Sequence, residues 1–65
     1  MVVQSRVAQY VKDAGIKQSF ISEKTGLSEN VISLIFKGKR KMSADEFAKI
    51  CQAINKAPND FMETA

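Results

Sequence analysis

The chain contains no histidine and no tryptophan, and only one cysteine and one proline. Each shortage closes off a class of explanation. Cys51 has no partner for an internal disulfide, and without His it cannot complete a Cys/His zinc site. Catalysis is not expected either. There is no imidazole base, no glycine-rich phosphate loop and no nucleophile–base–orienter set. No apolar run approaches the roughly 20 residues that span a bilayer. The opening segment MVVQSRVAQYVKD sets charges inside its apolar pattern and has no signal-peptide core. The expectation is a cytoplasmic protein in a reducing compartment, with no membrane partner, metal, cofactor or small-molecule ligand.

What is present is short and locally basic. At 65 residues the chain is expected to form one domain, residues 1–65. Such a domain buries only about 60% of the surface its unfolded chain exposes. With no covalent staple, oligomerisation is the expected source of added stability. The net charge is +3 and the pI about 9.3. Its distribution says more than its size. Lys37, Lys39, Arg40 and Lys41 crowd four cations around Gly38, whereas residues 57–65 carry only Asp60 and Glu63.

Periodicity predicts helices throughout. Val3, Val7, Tyr10, Val11 and Ala14 recur at helical spacing and end before Gly15, with Ile16 as a buried connector. A second helix starts near Gln18, carries Ile21 inward and ends near Thr25 and Gly26. Leu27 follows as a core plug. Ser28 suits an N-cap, because its hydroxyl can accept from a free N–H of the next turn. Ile32 and Ile35 place a third helix of about two turns before Gly38. Ser43-Ala44-Asp45-Glu46 reads as a capping box opening a fourth helix, whose apolar stripe is Phe47, Ile50, Cys51 and Ile54. Pro58 can open a short fifth helix bearing Phe61 and Met62. The predicted class is all-α, four to five short helices.

Gln18 to Phe36 holds the informative pattern. Gly26 lies eight residues after Gln18, and the small Ser22 lies four after it, where two crossing helices approach closely. Leu27, Ile32 and Ile35 supply internal contacts. Such spacing suits two helices packed at a steep angle, the second with a free outer side. Here the chain resembles the Cro and phage-repressor, or lambda-repressor-like, family of helix-turn-helix proteins. The likeness runs from the first helix to Phe61. It includes Gln18 opening helix two, Gly26 in the turn, the three core positions and Gly38-Lys39-Arg40 after helix three. Residues 49–54 are similar to the family's fourth helix, with Cys51 where a small Ala is usual.

The resemblance implies a sequence-specific regulator, a phage-type or bacterial repressor, binding double-stranded DNA as a homodimer. Helices two and three would be its helix-turn-helix. Gln18 and Ser19 fall where the family contacts a phosphate. Ser28, Glu29, Asn30, Ser33 and Leu34 fall on the outer side of its recognition helix. Asn can pair with adenine, Glu can accept from a cytosine amino group, and Leu can meet a thymine methyl. Lys37, Lys39, Arg40 and Lys41 would meet backbone phosphates. Departures are Phe20 at a usually polar position, Lys17 as a poor N-cap, and Leu34 in place of a polar reader. Plainer readings stand beside these. The basic run can be a solvated loop, Ser28 a cap alone, and Glu29 a charge complementing the helix N-terminus. Phe61 and Met62 are core residues or, if exposed, a dimer contact. Phe20, Leu34 and Phe61–Met62 also fit an antitoxin-like module that holds another protein.

Overall fold

A computed structural model describes residues 2–62, and among these every regular element is helical. The order is α1 (Val2–Ala14), α2 (Gln18–Thr25), α3 (Glu29–Phe36), α4 (Ala44–Ala53) and α5 (Asn59–Met62). The predicted boundaries thus hold to within a residue or so. One apolar cluster joins Val7 and Val11 of α1, Ile21, Ile32, Ile35, Ile50, Cys51, Ile54 and Phe61. Removing these side chains from water is the main favourable term, on the order of 1.5–3 kcal/mol for each large aliphatic.

Helices this short are marginal alone, so their ends matter. Lys17 makes no side-chain cap bond at α2, in keeping with its poor capping chemistry. Ser28 caps α3 by accepting the Val31 N–H at 3.1 Å. At α4 the capping box is complete: Ser43 Oγ accepts the Glu46 N–H, and Glu46 Oε1 accepts the Ser43 N–H. After α3, Lys39 N–H donates to Leu34 and Gly38 N–H to Ile35, the paired bonds of a Schellman end. The same arrangement follows α4, with Asn55 in the left-handed region at φ 60°.

The turn between α2 and α3 is tied by side chains. Ser22 Oγ donates to the Leu27 carbonyl at 2.6 Å. Thr25 Oγ1 accepts the Leu27 N–H at 3.1 Å and donates to the Ile21 carbonyl. Both backbone groups of Leu27 are therefore satisfied, and the angle between the two helices is held. Ser22 is more than the small residue its spacing suggests.

Several positions differ from the sequence expectation. Ala14 is exposed, and Ile16 and Leu27 are half-buried against the core rather than within it. Met42, hidden among cations in sequence, is buried. Phe61 is 5% exposed and packs edge-on against Tyr10 and Phe47. Its carbonyl accepts from Arg6 at 3.2 Å. Phe61 is thus core rather than dimer surface, and of the expected pair only Met62, at 55%, is exposed. Cys51 is buried, and desolvation, helped by Asp60, pushes its thiol pKa up and away from nucleophilic chemistry.

Gly26 adopts φ +80°, with no atom near where a Cβ would stand. Gly26→Ala should therefore cost backbone strain alone, about 1–2 kcal/mol. Thermal melts should fall by about 4–8 °C per kcal/mol. A melt equal to wild type would mean that the turn does not require this conformation.

Candidate nucleic-acid interface

The orientation of α3 follows from Ile32 and Ile35, both fully buried. With 3.6 residues per turn, their burial turns residues 29, 30 and 33 away from the core. Glu29 and Asn30 are exposed, while Ser33 and Leu34 are half-buried. Ser28 is exposed at the N-terminus, where its oxygen already serves as the cap. Both roles are compatible, since a hydroxyl engaged as an acceptor can still donate. Ser19 is exposed at the start of α2, and Gln18 beside it is half-buried.

Two surface hollows share Ser5 and Phe36. One is bordered by Gln9, Lys12 and Gln18, the other by Gln4, Gly38, Arg40 and Lys41. Gln18 and the basic loop therefore lie on the same side of the molecule, across one flank of α1. Ser5 and Lys12 join this surface, although no local pattern singles them out. Their position follows from how α1 packs, and no local motif encodes that.

The four cations of the loop are not equivalent. Lys37, Lys39 and Lys41 are exposed. Arg40 is exposed too but reaches α4, where Nη1 donates to Glu46 Oε2 at 2.8 Å. Its backbone carbonyl is taken as well, by the side chain of Gln4 at 2.7 Å. Sequence reasoning put Arg40 with the lysines, and the structure gives it a tie to the scaffold.

Over residues 6–65 the sequence matches the family described as the Cro/C1-type HTH DNA-binding domain. The chain belongs to that family. No curated protein and no solved structure gave a match. For a Cro/C1-type domain, the two short helices on either side of Gly26 are the helix-turn-helix, and α2 and α3 pack together as that motif requires. No described helix is long and apolar enough to cross a membrane. Nor do the described residues group His, Cys, Asp or Glu as a metal site would need.

Glu46 is a residue the sequence placed only in a cap, yet it joins the cap to the basic loop. The Ser43 N–H and then the Arg40 guanidinium hold its carboxyl below the usual carboxylate range. A lowered folded-state pKa means stability that is present above the unfolded value and lost as pH falls through the folded one. Glu46→Gln keeps an acceptor for Ser43 and discards the charge. At neutral pH the variant should be less stable by no more than about 1 kcal/mol, as for an exposed pair. The gap should close as pH falls below about 4.3, the ordinary Glu value. Urea melts across this range check the sign. A gap that stays constant or widens in acid would mean the carboxylate charge contributes nothing.

Proposed function

We propose that the chain is a sequence-specific transcriptional regulator, a phage-type or bacterial repressor acting in the cytoplasm as one domain. It binds as a homodimer and lays α3 in the major groove of two half-sites about 34 Å apart. The observation that carries this reading is the polar outer side of α3 next to a run of exposed lysines. Asn30 pairs with a base edge, Ser33 hydrogen-bonds beside it, and Leu34 meets a thymine methyl. Glu29 accepts from a cytosine amino group or complements the helix N-terminus. Gln18, Ser19 and Ser28 touch phosphates, as do Lys37, Lys39 and Lys41, with Arg40 nearby. These contacts set position and salt dependence rather than sequence.

Met62 supports the dimer. It stands exposed at an apolar hollow it shares with Val3, Met42, Ala44 and Phe47, beside a core too small to be very stable alone. A second reading, an antitoxin-like module that holds another protein, draws on Phe20. That ring is 45% exposed on α2, with Lys24 Nζ 5.7 Å from its centroid.

In vitro selection followed by gel shift separates the two. The regulator reading expects a symmetric selected site bound well above random DNA at moderate salt. Asn30→Ala and Ser33→Ala should each weaken it by about 1–3 kcal/mol per lost base contact. No preference over random DNA would sink this reading. If those variants bind normally while Phe20→Glu abolishes a stable complex with another protein, the module reading prevails.

A further inference from the structure

Gln4 is the one polar side chain among the described residues that is buried, at 7% exposure, and the helix-turn-helix pattern gives it no role. Both polar atoms of its amide are engaged. Nε2 donates to the carbonyl of Ile35, in the last turn of α3, and to the carbonyl of Arg40, at 2.7 Å. Oε1 accepts the Met42 N–H at a longer 3.4 Å. One side chain on α1 thus grips both ends of the segment that carries Lys37, Lys39 and Lys41. The Ile35 carbonyl is also the acceptor for Gly38 N–H, so the grip falls on the left-handed turn itself.

We infer that Gln4 is a positioning residue for DNA binding. It fixes the path of the loop after α3 and so sets where three lysines meet the phosphate backbone. Repulsion among its cations favours a more spread path for this loop, which the bonds from Gln4 to the Ile35 and Arg40 carbonyls oppose. Backbone polar groups turned inward also need partners, and Gln supplies two donors and an acceptor on one short stem. No aliphatic residue at position 4 could satisfy any of the three. Loss of the amide would therefore free the inner side of the loop, while Val7 and Val11 still hold α1 to the core. The Schellman end, Met42 and the Arg40–Glu46 pair would be left to hold the loop less closely.

The inference rests on the loop lysines meeting phosphate, so the test separates the two claims. The probe is a mixed-sequence DNA duplex, because phosphate contacts are read without an operator. Affinity is followed by fluorescence anisotropy between about 50 and 200 mM salt, where each phosphate contact contributes about 0.9 to the slope of log K against log salt. Lys39→Ala and Lys41→Ala should each lower that slope by about 1 per protomer. Gln4→Met and the milder Gln4→Asn, which is too short to span both carbonyls, should lower it by at least as much, with several-fold weaker binding. Ile54→Ala, in the core just past the C-terminal end of α4, should melt lower yet keep the wild-type slope.

Unchanged slopes for the lysine variants would overturn the phosphate reading, and this inference with it. Reduced slopes for the lysine variants, with a wild-type slope for the folded Gln4 variants, would overturn the role of Gln4 alone. Should neither Gln4 variant fold, the wild-type protein decides. The Met42 amide should then exchange more slowly than an unstructured peptide and stay protected with DNA bound. Exchange at the rate of an unstructured peptide would mean that the grip is absent.

Discussion

Ile32 and Ile35 reach zero exposure only if α3 is rotated one way, and most of what this domain can do follows from that rotation. A helix of eight residues has just two turns, so three residues of separation fix its inner side completely. With these two side chains inside, Glu29 and Asn30 are forced outward and Ser33 lies between. Turning α3 by one residue would bury Asn30 or Ser33 without a partner, at a cost of about 1–3 kcal/mol each. The hydrophobic core thus chooses which side of α3 is left to solvent, the side proposed to face DNA.

Two sets of polar bonds then hold that choice in place. At its start, α3 is tied to α2 through Ser22 and Thr25, which satisfy both backbone groups of Leu27, and through the Ser28 cap. At its end it is tied to α1 through Gln4 and to α4 through Arg40 and Glu46. These partners are spread along the chain and converge on one short helix and its flanking turns. Individually such bonds contribute about 0.5–1.5 kcal/mol. Together they anchor both ends of α3 to the neighbouring helices.

Much of this was legible in the sequence because it is local. Gly26, Ser28, Gly38 and the Ser43–Glu46 box mark helix ends through chemistry confined to a few residues, and Ile32 and Ile35 declare α3 by spacing alone. What stayed hidden depends on distant pairing. Arg40 sits among lysines in sequence but turns to Glu46, and Met42 is masked by the cations before it. Gln4 is the instructive case. It stands in line with Val7 and Val11 at helical spacing, so a polar residue on an apolar stripe was visible, but its partners lie 31 to 38 residues away. Phe61 was ambiguous for the same reason. Only the packing of α5 against Tyr10 and Phe47 decides between core and surface.

The central claim is that one continuous surface, from the start of α2 across α3 to the basic loop, is the DNA-binding side. Amide chemical-shift mapping on isotopically labelled protein, titrated with a DNA duplex, addresses it most directly. The account predicts shifts concentrated at Gln18, Ser19, residues 28–33 and residues 37–41, with Gln52 to Lys56 at the far end of α4 unmoved. Shifts centred on Phe20 and Lys24 or on Met62, with residues 28–33 silent, would contradict it.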